Sequence, residues 1–172
     1  QKGMAYSPEI LETLLRGIMG FEGYVNSDTG ITEGTAWGID KSVYDTTARV
    51  AMAINAGTDI ISGQSNLSQV LEAVKRAEAK AGGEEAMKAY CEANELVYED
   101  VKDTLFSDNA VLTEERLNEA VGRVLGEAFD LGVFDNAYVD PDNAEKVVSE
   151  IKATGHAYDV QQKSAVLLKN DG

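Results

Sequence analysis

Two short apolar segments on either side of an amphipathic helix restrict the folds open to this chain. The first segment is FEGYVNS, residues 21–27, and the second is TDIIS, residues 58–62. Residues 42–56 between them repeat apolar and small side chains with helical spacing, namely Val43, Thr47, Val50, Ala51 and Ile54. A strand, a helix and a strand in so short a stretch are typical of a βαβ unit with parallel strands. We therefore predict an α/β fold with two adjacent parallel strands.

Further helices are predicted before and after this unit. Ser7 and Pro8 mark the start of the first helix, and Gly20 marks its end. A further helix is predicted from Leu67 to the glycine pair 82–83. Its inward face would consist of Leu67, Val70, Leu71 and Val74, and Glu72 and Arg76 would form a pair on its outward face. Three more helices are predicted over residues 84–106, 113–131 and about 144–163. The chain should therefore contain more helix than strand.

The end of the sequence resembles the start of another strand. AVLLKN, residues 165–170, is apolar and has no obvious partner, and two other strands cannot form a viable sheet alone. A closed barrel of alternating strands and helices typically takes about 250 residues, whereas this chain has 172. We expect the chain to be a segment of a larger protein.

Composition excludes several classes of partner and site. A formal net charge of −15 argues against binding to nucleic acid or to an anionic membrane surface. With a single cysteine, Cys91, and a single histidine, His156, the chain offers neither a disulfide framework nor a histidine-cluster metal site. We therefore predict no metal and no cofactor. We expect a soluble protein because no apolar run reaches membrane-spanning length. No signal peptide is visible, and the sequence does not predict the cellular compartment.

Four segments occur in the order found in one enzyme family: GFEGYVNSDTG, INAGTDII, LTEERLNEAVGRVLGEAFDLGVFDN and HAYDVQQKSAVLLKN. Together they resemble the two-domain glycoside hydrolases of family 3, the β-glucosidase and β-xylosidase group. In that family a (β/α)8-type, TIM-like barrel is followed by a connector and an α/β sandwich domain. The resemblance implies that residues 1–132 are the C-terminal part of the barrel, with its last two βα units and additional helices. Residues 133–164 would be the connector, and residues 165–172 the first strand of the sandwich domain.

The same resemblance assigns a role to Asp28. Ser27–Asp28 matches the Ser-Asp pair that holds the family's nucleophilic aspartate, and strand ends carry the active-site side chains in such barrels. The competing interpretation is an aspartate that only caps a loop. Many members have tryptophan after the aspartate, where this chain has Thr29. Trp37 in the same loop is therefore a candidate sugar-stacking residue, although it could equally pack the loop. The acid/base carboxylate is expected outside this chain.

The resemblance implies part of a retaining, exo-acting β-glycosidase acting through a covalent glycosyl-aspartate intermediate. Its expected partners are a β-linked glycoside or oligosaccharide and the remainder of the enzyme, and the segment alone is predicted to be inactive. One alternative is a non-catalytic relative or helical interaction module that keeps only the scaffold. Another is a single-domain β-N-acetylhexosaminidase of the same family, which the connector and the VLLKN run disfavour. Asp45 is expected on a solvated first turn of its helix, where its charge suits the helix dipole. Asp59 precedes its strand, at the non-catalytic end of the barrel, and is expected to have a structural role.

Overall fold

The computed structural model describes residues 2–33, 38–63, 65, 67–150 and 153–171. The chain divides into two units, residues 1–131 and residues 132–172. The first unit begins with a 3-10 turn, Met4–Tyr6, and a π-helix, Glu9–Ile18. Five α-helices follow: α1 (Thr46–Asn55), α2 (Leu67–Ala81), α3 (Glu84–Ala93), α4 (Tyr98–Leu105) and α5 (Glu114–Asp130). The second unit contains α6 (Pro141–Glu150) and α7 (Ala153–Ser164). The prediction of a helix-rich chain is confirmed.

The two predicted strands are reduced to a single parallel bridge between Asn26 and Ile60 among the described residues. Val25 O accepts from the backbone N–H groups of Asp59 at 2.9 Å and of Ile60 at 3.0 Å, and Ile60 O accepts from Ser27 N at 2.9 Å. The segments are thus adjacent and parallel as predicted, but they do not form regular strands. A pair of short strands without further neighbours is marginal, which accounts for the difference.

Helix α1 begins later than predicted, at Thr46 instead of Ser42. The side chain of Asp40 accepts hydrogen bonds from Ser42 N and Ser42 Oγ, so this part of the chain forms a turn. Asp45 then caps the helix by accepting from Ala48 N at 2.8 Å. These local bonds explain the shorter helix, and they leave Val43 exposed.

The predicted helix over residues 84–106 is wrong, because two helices, α3 and α4, occupy this range. Glu95 has a positive φ of 57°, and Leu96 N donates to Cys91 O at 2.8 Å, which ends α3. Both helices nevertheless pack on one cluster containing Cys91, Leu105 and Phe106. A continuous apolar repeat therefore concealed a break between two helices that share a core.

Helix α1 is the central element of the first unit. One of its faces joins a cluster with α2 and the segment before α5, and the other joins a cluster with the N-terminal turn and the loop after Asp28. The first cluster contains Val50, Ala51, Ile54, Ala73 and Leu112, and the second contains Tyr6, Ile31, Ile39 and Ala53. Burial on both faces makes α1 the support for the loop that leaves residue 28.

Arg76 is buried, which corrects the prediction that it points outward from α2. Its Nη1 and Nη2 bond Asp45 Oδ1 at 3.0 Å and Asp45 Oδ2 at 2.6 Å, and its Nε donates to Tyr90 Oη at 3.0 Å. Burial acts to raise the pKa of Asp45, but the hydrogen bonds from Arg76 and Ala48 N, together with the charges of Arg76 and Arg49, lower that pKa overall. Asp45 lies at the start of its helix as predicted, but its ion pair with Arg76, which links α1 to α2 and through Tyr90 to α3, was not predicted.

None of the helices in the described part of the chain is long and apolar enough to cross a membrane. Residues 165–171 lie in neither a helix nor a strand. A strand requires a neighbour to pair with, so the predicted first strand of a sandwich domain stays a prediction.

Candidate active site

Asp28 follows directly after the bridged segments, at their C-terminal end. Ser27 is buried, and its hydroxyl accepts from Ser62 N at 3.0 Å while donating to the backbone oxygen of Asp28 at 2.8 Å. Ser27 thereby fixes the end of one segment against the end of the other. The Asp28 side chain is exposed, and its Oδ1 accepts from Thr29 N at 2.7 Å.

Asp28 also borders an open cavity of about 460 Å³. The polar members of its wall are Asn26, Ser27 and Asp28. The remaining wall is apolar and comes mainly from the 3-10 turn, the π-helix and the segment after the bridge, namely Met4, Ala5, Ile10, Leu11, Leu14, Leu15, Met19, Val25 and Ile31. An exposed carboxylate beside a cavity is accessible to a reactant, which a purely capping aspartate need not be.

The loops that follow the two segments contact each other beside Asp28. Gly63 has a φ of +82°, and a Cβ built there would lie 2.3 Å from Thr29 Cγ2. Only glycine combines this backbone conformation with so close an approach. Thr29 therefore packs over Gly63.

The loop after Asp28 is attached to the body of the first unit by Tyr6 and Arg49. Tyr6 Oη donates to Ile31 O at 3.1 Å, and Arg49 Nε donates to Thr32 O at 2.6 Å. Burial raises the pKa of Tyr6 to about 12, although the charge of Arg49 acts to lower it. The phenol is therefore protonated at neutral pH and available as a donor. The roles of Tyr6 and Arg49 were not predicted from the sequence. The available indication was the position of Arg49 within the otherwise apolar run of α1.

A second carboxylate, Asp59, lies at the opposite end of the bridged segments and is completely buried. Oδ2 accepts from Val25 N at 2.9 Å and from Arg16 Nη2 at 2.8 Å. Oδ1 accepts from Arg123 at 3.0 Å and from Arg116 at 3.3 Å. With three guanidinium groups and a backbone amide around it, Asp59 is a structural centre, as predicted. The arginine partners were not predicted.

Comparison with known proteins assigns the family. Residues 1–126 match the glycosyl hydrolase family 3 N-terminal domain. The chain belongs to glycosyl hydrolase family 3. The resemblance inferred from the four sequence segments is thereby confirmed.

Several relatives of this family 3 chain are β-glucosidases by name. Beta-glucosidase C of Emericella nidulans is 28% identical over 179 residues, covering 98% of this chain and 23% of the relative. The probable beta-glucosidase C of Aspergillus flavus is 29% identical over 177 residues, covering 97% and 22%. A periplasmic beta-glucosidase/beta-xylosidase of Dickeya chrysanthemi is 26% identical over 190 residues, covering 99% and 24%. The chain thus spans about a quarter of the length of these relatives.

Several other aromatic or titratable side chains of this family 3 chain could be considered for a functional role. Trp37 is outside the described residues. Cys91 is fully buried, and burial raises the pKa of its thiol, against a lowering effect of Arg76. His156 is exposed on α7. The acidic pairs Glu84–Glu85 and Glu114–Glu115 occupy the first turns of α3 and α5, and no cluster of metal-ligating side chains occurs among the residues the structure describes.

Proposed function

We propose that Asp28 is the catalytic nucleophile of a retaining, exo-acting β-glycosidase that removes terminal β-linked sugars from non-reducing ends. The observation that carries this proposal is the exposed carboxylate at the C-terminal end of two parallel, hydrogen-bonded segments. Catalytic side chains of α/β barrels come from this end of the strands. Family membership and the β-glucosidase names of the relatives support the same reaction class.

In the proposed reaction, Asp28 attacks the anomeric carbon as the glycosidic bond to the leaving oxygen breaks. A protonated acid from elsewhere in the complete enzyme donates its proton to that oxygen. Water then attacks the glycosyl-aspartate, passes a proton to the same group and frees the Asp28 carboxylate. Two successive displacements give net retention at the anomeric carbon. No cofactor takes part in this scheme.

The domain assignment is part of the same proposal. Residues 1–132 would form the last two βα units of a (β/α)8-type barrel, residues 133–164 the connector, and residues 165–172 the first sandwich strand. The parallel bridge supports the first assignment. Exposed apolar side chains such as Ile18, Val121 and Phe129 provide surface for packing against the remainder of the enzyme. Trp37 is kept as a proposed sugar-stacking residue.

The proposal is tested by replacing Asp28 with alanine in the full-length protein. The attacking oxygen is lost while the bonds of Ser27 remain, so we expect turnover of an aryl β-glucoside to fall at least ~10³-fold, about 4 kcal/mol of barrier. The thermal unfolding midpoint should stay close to that of the wild type. A fluorinated slow substrate should label the wild-type protein on the peptide that contains Asp28.

Asp108→Ala is the matched control, since Asp108 is also an exposed loop aspartate and is bonded to Lys80 rather than placed beside the bridge. This variant should retain normal turnover. Labelling of a different carboxylate, or inversion seen by NMR of the first product, would contradict the assignment. A wild-type protein without turnover of aryl glycosides would favour the non-catalytic alternative.

A further inference from the structure

One buried guanidinium joins both ends of the loop between Asp28 and α1. Arg49 Nε donates to Thr32 O at 2.6 Å near the start of the loop, and Nη1 donates to Tyr44 O near its end. Nη2 donates to Thr46 Oγ1 at 3.0 Å in the first turn of α1. Arginine suits this position because its planar fork presents several donors in a fixed geometry.

The bonds are made where solvent cannot replace them. Arg49 is only 6% exposed, and Ile31 and Thr32 are fully buried. Tyr6 adds a second anchor through its bond to Ile31 O, and it is itself buried. A buried carbonyl oxygen that loses its hydrogen-bond donor is left without either a protein partner or water, which is energetically unfavourable. The loop should therefore rearrange if Arg49 is removed.

The anchored segment is continuous with Asp28. Thr32 is four residues beyond Asp28, and Ile31 and Asp28 line the same cavity. Thr29 between them packs over Gly63 on the neighbouring loop. A displacement at residues 31–32 is therefore separated from the carboxylate by only two residues, Thr29 and Gly30.

We propose that Arg49, assisted by Tyr6, is a positioning residue for Asp28, an inference that rests on the function proposed above. It touches neither substrate nor reacting atoms. It holds the loop backbone so that the carboxylate keeps the direction needed for attack, and misplacement by about 1 Å can reduce rates on the order of 10²-fold.

Arg49→Met in the full-length protein tests this proposal, with Arg76→Met as the matched control. Both arginines are almost fully buried, at 6% and 5% exposure, and both bond groups on neighbouring elements. Arg49 bonds Thr32 O, close to Asp28 in the chain, whereas Arg76 bonds Asp45 at the far end of the loop and Tyr90 on α3. The two variants should lose similar thermal stability. A difference in activity between them would then reflect the position of Asp28 and not a general loss of folding.

Activity is measured as kcat/KM for an aryl β-glucoside and as the rate of inactivation by a fluorinated glycoside, because both report attack by Asp28. We expect Arg49→Met to lower both about 10- to 100-fold and Arg76→Met to change them less than about threefold. Arg49→Lys should be intermediate, because one ammonium cannot serve both ends of the loop. Tyr6→Phe should give a smaller loss in the same direction.

Hydrogen exchange of residues 27–33, followed by mass spectrometry, gives a readout that needs no activity. Exchange should increase in Arg49→Met and remain at the wild-type level in Arg76→Met. If the wild type hydrolyses no glycoside but exchange changes in this selective way, the proposed function fails and the loop anchor stands. Equal activity losses in the two variants, or unchanged exchange in Arg49→Met, Arg49→Lys and Tyr6→Phe, would overturn the proposal.

Discussion

Asp28 and Asp59 stand at opposite ends of the same two paired segments, in opposite surroundings. Asp28 is exposed and bonds a neighbouring backbone amide, whereas Asp59 is fully buried among Arg16, Arg116 and Arg123. In α/β barrels the C-terminal ends of strands carry function, and the N-terminal ends carry stability. Two identical side chains therefore have different proposed roles, because their environments differ.

At the residue scale, we predict a large loss of stability for Asp59→Asn. The substitution removes the charge of a fully buried carboxylate that bonds three partly buried guanidinium groups, and breaking such a network by removing one partner costs about 3–5 kcal/mol. The thermal unfolding midpoint of the full-length protein measures the effect. Asp108→Asn, which alters an exposed pair with Lys80, should leave the unfolding midpoint almost unchanged because solvent screens the pair. Equal midpoints for the two variants would contradict the structural role of Asp59.

At the element scale, apolar patterns predicted the faces of helices better than their burial. The apolar repeat along α5 predicts a buried stripe made of Leu117, Ala120, Val121, Val124, Leu125 and Ala128. Ala120 is buried as expected, but Val121 and Leu125 are exposed. A helical repeat specifies which side is apolar, while the neighbouring elements determine how much of that side is covered. The prediction of a fully buried stripe is thus wrong.

The contact between the loops after the two bridged segments leads to a prediction for Gly63→Ala. The new Cβ would lie 2.3 Å from Thr29 Cγ2, so the loop carrying Thr29 and Asp28 must move. We expect a fall in kcat/KM of at least about tenfold for aryl glycosides in the full-length protein.

Gly83→Ala is the control for Gly63→Ala. Gly83 has nearly the same φ, +84°, but a Cβ there meets nothing within 4 Å. It caps α3 and should share the backbone strain without the loss of activity. Similar activity in both variants would show that the contact between Thr29 and Gly63 does not influence the site.

For the molecule as a whole, we predict that residues 1–172 expressed alone are inactive on glycosides and poorly folded. Large apolar side chains such as Leu14, Ile18 and Phe129 are exposed on helices of the first unit, and no further strand pairs with the bridged segments among the residues that the structure describes. Strong binding of a hydrophobic dye, a broad unfolding transition and no turnover are the expected results. Cooperative unfolding with measurable turnover by the purified segment would contradict this prediction.

The sequence by itself determined the family, the helix-rich character, the parallel direction of the two segments and the position of Asp28 at their end. The family followed from the resemblance of four segments in family order. The helices and the parallel direction followed from local patterns, namely helical repeats, caps and a strand–helix–strand order. Only the tertiary structure determined the bonding of Arg16, Arg49, Arg76, Arg116 and Arg123 with carboxylates and carbonyl groups distant in the sequence. From the sequence alone an arginine is expected at the surface, because the packing of separate elements determines which partners it meets. Burial then makes those partners obligatory, since an unpaired guanidinium would keep its full desolvation cost.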